Sequence, residues 1–321
     1  GRTYPRARMS VRFLDGDIER AQLARHTWEA ALPATLEHLF NGGDYAQSPL
    51  RLSESLEASD YNLRARNARW DLLGPVGPTC IGFEAYGTER DGVFASINDD
   101  ESKRACGLKH AVDCTVIAIG SNGQWGFETS LVEKTGCVVH TFDCTVDERV
   151  RVPGKLAHRV QLHRKCIGKL PEIDRRWALH VPSRPNGSPG RWRDRRWVKW
   201  ELAPDAFASY AEIVALTGLN APPTLLKMDI EGHEWGVLEQ VLGSSTFKPK
   251  QIAMEMHFQT QFPGLSWFGR NKSPAEILQM GHALTNAHYM LVSRVDNHAC
   301  NHCTEVLYAI PSNASQRARL L

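Results

Sequence analysis

The rhythm of apolar and polar positions changes near Trp70. Upstream, Ile18, Leu32, Leu36, Leu39 and Phe40 fit one face of a helix. The pattern predicts a helix capped by Asp17, interrupted by Pro33 and stopped at Asn41-Gly42-Gly43. Residues 44–69 are mixed and carry no readable chemistry. Downstream, Pro75, Gly77 and Pro78 mark a turn, and Gly82–Phe94 reads as a hairpin about Arg90-Asp91-Gly92. Apolar runs at Thr115–Ile119, Cys137–Phe142, Val160–Cys166, Thr224–Ile230 and Gln251–Phe258 then predict buried strands. Helical spacing predicts helices at Phe127–Lys134, closed by Gly136, at Asp205–Thr217 with Phe207, Tyr210, Ala211 and Val214 on one face, and at His233–Leu242. Ser273-Pro274-Ala275-Glu276 is a capping box that opens a further helix through Ile277, Met280 and Leu284. Tyr289–Val295 and Thr304–Ile310 close the chain as a strand hairpin. Strands alternating with helices give βαβ units and a mostly parallel sheet. The expected architecture is α/β and Rossmann-like, seven-stranded, in a domain over 70–321, with a helical extension over 1–69.

Composition narrows the class. The chain has 321 residues, 42% hydrophobic and 23% charged, which suits a globular protein with a sizeable core and excludes wholesale disorder, collagen and coiled coil. No apolar run is long enough for a transmembrane helix. The net charge of +2 does not announce a nucleic-acid binder. The chain starts Gly1-Arg2-Thr3 without a Met, which we read as a cut from a longer protein, with room for a signal peptide or anchor upstream. Cys80, Cys106, Cys114, Cys137, Cys144, Cys166, Cys300 and Cys303 are too sparse for a small disulfide scaffold. Cys114, Cys137 and Cys166, in or beside apolar strands, read as free buried thiols. Cys300-Asn301-His302-Cys303, after His298, resembles half of a zinc site without its second pair, so a local disulfide or plain thiols is the reading there. Of the sequons at Asn186, Asn271 and Asn313, two are followed by Pro. The compartment leans to the secretory pathway or the exterior, with the cytoplasm as alternative. Residues 180–200 stand apart: Arg184, Arg191, Arg193, Arg195, Arg196 and Lys199 interleave with Trp192, Trp197 and Trp200. They read as a solvated insertion, with a grip on phosphate, sulfate or stacked bases as the functional alternative.

Three stretches carry candidate chemistry. In Ile117-Ala118-Ile119-Gly120-Ser121-Asn122-Gly123-Gln124-Trp125-Gly126-Phe127-Glu128, a strand enters a glycine-rich turn and then a helix. Gly120 permits the tight turn, and Gly123 lets backbone approach a ligand. The G-x-x-G-x-x-G spacing differs from the dinucleotide G-x-G-x-x-G and disfavours NAD. Asp143 ends the next strand, where a carboxylate can accept from both ribose hydroxyls of a nucleoside cofactor. In Lys227-Met228-Asp229-Ile230-Glu231-Gly232-His233-Glu234, strand alternation puts Leu225, Lys227 and Asp229 on one side, at the carboxyl end where open α/β sheets bind ligands. Glu231 and Glu234 read as acids favouring a helix N-terminus. In Met254-Glu255-Met256-His257, Glu255 and His257 share a face, so that His257 is placed to deprotonate an acceptor hydroxyl while Glu255 orients it. A divalent-metal set of Asp229, Glu255 and His257 is the weaker alternative.

With these motifs, the stretch from Trp70 to Ile310 resembles the class I S-adenosylmethionine-dependent methyltransferases, and among them the methyltransferase-like proteins related to the FkbM group. KMDIEGHEW at 227–235 is similar to the FkbM-type K-x-D-x-E-G-x-E motif. Segment 106–128 resembles the family's motif I, HTFDCT at 140–145 its acidic second motif, MEMHF at 254–258 its Glu-x-His strand and HCTEVLYAI at 302–310 its closing strand. The resemblance implies strand order 3-2-1-4-5-7-6 and S-adenosylmethionine over the first two strands, held by Gly120, Ser121, Asn122, Gly123, Glu128, Asp143 and Asp229. It also implies O-methylation of a sugar, glycan or small natural product, with Lys227, Asp229, Glu255 and His257 at the acceptor. Where many relatives carry an acid two residues before the first glycine, this chain has Ala118, so Glu128 or Asp229 must meet the cofactor's ammonium. The rival readings are a non-catalytic binding protein on the same frame and an RNA methyltransferase using the basic insertion.

Overall fold

The computed structural model describes residues 11–41, 68–87, 102–109, 111, 113–146, 149–167, 178–183, 196–201, 206–258, 272–296, 303–312 and 316. Ahead of the main sheet, β1 (Phe83–Tyr86) pairs antiparallel with β2 (Lys103–Cys106). The hairpin expected over 82–94 is thus corrected: its first arm is real, but the partner comes from 103–106, and the turn at 90–92 lies outside the described residues.

The seven-stranded sheet is built from β3 (Thr115–Ile119), β4 (Val138–Phe142), β5 (Val160–His163), β10 (Leu225–Met228), β11 (Gln251–His257), β12 (Met290–Asp296) and β13 (Cys303–Ala309). Its order is β12-β13-β11-β10-β3-β4-β5. Counted along the chain, that is 3-2-1-4-5-7-6 read from the β5 edge, as expected. Neighbours are parallel except at β13, which runs against β11 and β12. Val116 through Ile119, Leu225 through Met228 and all of β11 are buried, because helices or the β1–β2 ribbon cover both faces.

One face packs Ile117, Ile119, Leu226, Met228, Ile252 and Met254 under the helices at 210–216, 234–243 and 274–286. The other packs Val116, Ala118, Val139, Leu225, Ala253 and Leu307 under α2 (Gly126–Lys134) and β2. Helix α1 (Asp15–Phe40) reaches both, with Trp28 and Leu32 in the first cluster and Ile18 and Ala21 in the second. It starts three residues earlier than expected and runs on through Pro33, and its N-cap, Leu14, supplies no side-chain cap. Asp17 pairs with Arg20 instead of capping.

Three further expectations change. The strand over 160–166 breaks after His163, and β6 (Cys166–Ile167) leaves to pair with β9 (Phe207–Ala208). Consequently α3 is Tyr210–Leu216, begun by a Ser209/Glu212 capping box, and Phe207 lies in β9 ahead of it. The backbone of the basic insertion forms an antiparallel pair, β7 (Ala178–Ser183) with β8 (Arg196–Glu201), while residues 184–195 lie outside the described residues. Finally, Cys114, Cys137 and Cys166 are not free thiols. Cys80–Cys106, Cys114–Cys137 and Cys144–Cys166 are disulfides, spanning separations of 26, 23 and 22 residues. Cys303 is also disulfide-bonded. Among the described residues no helix is long and apolar enough to cross a membrane.

Helix α4 (Glu234–Gly243) and α5 (Pro274–Asn286) complete the fold, and α5 opens with the expected Ser273/Glu276 capping box. It lies so close to the turn Ala68–Leu73 that a Cβ at Gly281 would stand 2.7 Å from the Leu73 carbonyl oxygen and 2.8 Å from that of Leu72. Gly281→Ala is therefore expected to destabilise the fold by about 1–3 kcal/mol in a urea titration, since rigid backbone cannot give way. A midpoint like that of the parent would refute this packing.

Candidate active site

The carboxyl ends of β3 and β4 hold the first half of the site. Gly120 adopts φ +80°, and any Cβ there would stand 1.9 Å from the carbonyl oxygen of Asp229. Only glycine lets these two strand ends meet. Asp143, just past β4, ties down the turn that follows: its Oδ2 accepts from the backbone N–H of Ser121 (2.9 Å) and Asn122 (2.7 Å) and from the Ser121 hydroxyl (3.3 Å). Its Oδ1 accepts from the N–H (2.8 Å) and hydroxyl (2.6 Å) of Thr145. Asn122 takes a left-handed φ of 49° and is exposed, and Gly123 is half-buried at φ +71°. Gly120, Ser121, Asn122, Gly123 and Asp143 thus form one unit. Glu128 stands apart from it, buried on α2 and accepting from the Thr141 hydroxyl at 2.9 Å.

The second half lies past β10 and β11. The Lys227 ammonium donates to the Gly120 carbonyl, joining the two halves. Glu234 opens α4 and turns its carboxylate back to accept from the N–H groups of Ile230 (3.0 Å) and Gly232 (3.0 Å). This fixes the loop in which Glu231 takes a left-handed φ of 57°. His257 is 1% exposed; its Nδ1 stands 3.2 Å from Glu234 Oε1, and its Nε2 stands 3.5 Å from a carboxylate oxygen of each of Glu231 and Glu255. Burial alone would strip this ring of its proton, but Glu234, Glu255 and Glu231 outweigh it and raise the pKa well above the ordinary histidine value. The shift keeps the ring protonated to higher pH than an ordinary histidine. A raised pKa weighs against the expected role of His257 as base. Nearby His233 is shifted the other way, because burial outweighs the favourable Glu234.

Sequence reasoning missed Lys103, Glu305 and Thr145. Lys103 is 1% exposed, and its Nζ lies 2.7 Å from Glu305 Oε1 and 3.1 Å from Asp229 Oδ2. Burial opposes ionisation of Asp229, but Lys103, Lys227 and His257 prevail and hold its carboxyl below the usual range. Lys103 lies 126 residues from Asp229 and 202 from Glu305, so no local spacing could announce the cluster. Two described trios have metal-ligand proximity: Glu255, His257, Cys303 and Asp229, Glu255, Glu305. The first lacks a thiolate, since Cys303 is in a disulfide.

Two predictions follow from this geometry. Asp143→Ala leaves three backbone donors without their acceptor, and should lower the unfolding free energy by on the order of 3 kcal/mol in denaturant titration; a change near zero would refute the tie. For His257 the raised folded-state pKa means that its proton stabilises the fold fully below about pH 6.5, and that this contribution is lost as pH rises through the folded value. Nitrogen NMR one unit above that ordinary pKa should still show His257 as an imidazolium, and a neutral ring would refute the assignment.

A family model described as a methyltransferase domain matches residues 95–310. None of the curated proteins matches. Among solved structures the chain is similar to the methyltransferase FkbM from Methylobacillus flagellatus KT, at 15% identity over 61% of this chain and 43% of that one, with a TM-score of 0.33. It is similar to an O-methyltransferase family protein from Burkholderia thailandensis, at 10% identity over 62% of this chain and 52% of that one, with a TM-score of 0.32. A third likeness is to the Methanococcus jannaschii fibrillarin pre-rRNA processing protein, at 9% identity over 71% of this chain and 89% of that one, with a TM-score of 0.36. The chain spans under half the length of the FkbM structure. Membership rests on the domain match, which covers more than half of the sequence. With a domain match over residues 95–310, a 3-2-1-4-5-7-6 sheet and the K-x-D-x-E-G-x-E motif at 227–234, the chain belongs to the methyltransferase-domain family.

Proposed function

We propose that this methyltransferase acts on a hydroxyl of a sugar, glycan or small natural product, and that Glu231 receives the hydroxyl proton. The observation that carries this reading is the exposure of the cluster around His257. Glu234 is 0% and Glu255 3% exposed, whereas Glu231 is 38% exposed while still standing 3.5 Å from the ring. The Glu231 oxygen that faces the ring is itself buried, and the rest of its side chain is open to an incoming hydroxyl. His257 then acts as a fixed positive neighbour that aims the Glu231 carboxylate. The left-handed backbone at Glu231 supports the same reading, because such strain, of order 1–3 kcal/mol, concentrates at working residues.

The residues present fit an adenosyl cofactor. Bound S-adenosylmethionine supplies a methyl carbon on a sulfonium. Asp229, 15% exposed beside Gly120, is the acid available to its ammonium, taking the part that Ala118 cannot; Glu128 is engaged by Thr141. Asp143 has five donors on about four lone-pair sites, but two of them are the rotatable hydroxyls of Ser121 and Thr145. Two ribose hydroxyls can take their places while the three backbone bonds persist. The disulfides support an oxidising compartment.

Calorimetric titration with S-adenosylmethionine, then methyl-labelled cofactor against a panel of simple glycosides and phenols, tests the reading. Labelled ether products are expected; cofactor binding with labelling confined to RNA would shift the assignment to nucleic acid, and absence of binding would favour a non-catalytic protein. Glu231→Gln should keep cofactor affinity within about twofold and lose roughly 10²–10⁴ in turnover, the usual contribution of a general base. Unchanged turnover would remove Glu231 from the reaction.

A further inference from the structure

Three adjacent strands deliver a carboxylate to one face of the sheet. Asp229 follows β10, Glu255 lies on β11 and Glu305 on β13. Glu255 and Glu305 are directly paired across the antiparallel ladder, an arrangement of like charges that destabilises a sheet unless a cation stands between them. One oxygen of each of the three carboxylates lies within 4.8 Å of the others, the proximity of a divalent-cation site. The space they enclose is where the Lys103 ammonium lies, in contact with Asp229 and Glu305 and in the field of Glu255.

Lys103 does not arrive there on a flexible stem. Its strand is pinned on two sides. The Gln251 side chain on β11 accepts from the Cys106 N–H at 2.7 Å and donates to the Cys106 carbonyl at 2.9 Å, clamping β2 to the sheet. The Cys80–Cys106 disulfide and the ladder to β1, where Lys103 faces Tyr86, hold the other side. Burial works against its charge, yet Glu305, Asp229 and Glu255 hold its pKa well above the ordinary lysine value, so the ammonium is permanent.

We propose that Lys103 is a built-in replacement for a divalent cation: a positioning residue that neutralises Asp229, Glu255 and Glu305, holds Asp229 aimed at the cofactor side, and closes the cluster to metal. The part concerning Asp229 rests on the function proposed above; the closure to metal does not. A fixed ammonium supplies charge without a coordination sphere, so the acceptor is held by the protein's own groups and not by ligation.

Manganese titration followed by electron paramagnetic resonance tests this without any acceptor. The parent protein is expected to bind no Mn²⁺ that is lost on Glu305→Gln, and its thermal midpoint to be the same in chelator and in Mg²⁺. Lys103→Met should gain a Mn²⁺ site at least tenfold tighter than any in the parent, lost again when Glu305→Gln is added, whereas Lys103→Arg should gain none. S-Adenosylmethionine affinity should fall about tenfold in metal-free Lys103→Met and recover with Mn²⁺. A parent Mn²⁺ site that disappears with Glu305→Gln, or a folded Lys103→Met without metal affinity, overturns the closure. Metal gained with cofactor affinity unmoved overturns only the alignment of Asp229. Should Lys103→Met fail to fold, nitrogen NMR of the parent decides: a lysine ammonium signal protected from exchange, and lost in Lys103→Arg, is required, and its absence refutes the assignment.

Discussion

Charge confinement at one edge of the sheet is the constraint around which this protein is organised. Asp229, Glu231, Glu234, Glu255 and Glu305 converge on the ends of β10, β11 and β13, with Lys103, Lys227 and the His257 imidazolium set among them. Removing any one cation would leave carboxylates facing each other in a poorly solvated place, which is among the costliest defects a fold can carry. The arrangement explains why a lysine is buried on β2 and why burial does not lower the pKa of His257. Five acids against three cations leave an excess of negative charge, which suits a sulfonium donor that also carries an ammonium.

The other half of the site is neutralised by a different route. Asp143 is satisfied by backbone N–H groups and hydroxyls and not by cations, so the glycine-rich turn and the acid that follows β4 fix each other. The close approach of Gly120 to Asp229, and the bond from Lys227 to Gly120, make the two halves one rigid edge. A ligand bound across it would meet groups already in place, the condition that the proposed transfer requires.

Much of this was legible from residue patterns. The buried strands declare themselves because a sheet covered on both faces demands continuous apolar runs, and the capping box at Ser273 marks its helix without help from packing. Ser209-Tyr210-Ala211-Glu212 carries the same signal, but the apolar face of Phe207, Tyr210, Ala211 and Val214 outweighs it in a periodicity argument and draws the helix start too far forward. Cysteine pairing was not readable, since Cys114 and Cys137 look like small core residues until β3 and β4 are seen side by side. The site divides likewise: candidates within one strand end could be read from the pattern, whereas Lys103 and Glu305 depend on strands brought together across most of the chain. The raised pKa of His257 depends on three carboxylates from a loop, a helix start and a strand, and no spacing rule encodes that.

The Gln251 clamp on Cys106 gives the sheet a dependence that its topology conceals. Strand β2 contributes nothing to the seven-stranded ladder, so a boundary drawn by strand pairing alone would start the catalytic unit at Thr115. A fragment so trimmed would preserve every hydrogen-bonded rung and yet be electrically incomplete. The charge balance of this edge is set by where its counter-ion originates, not by where the sheet begins.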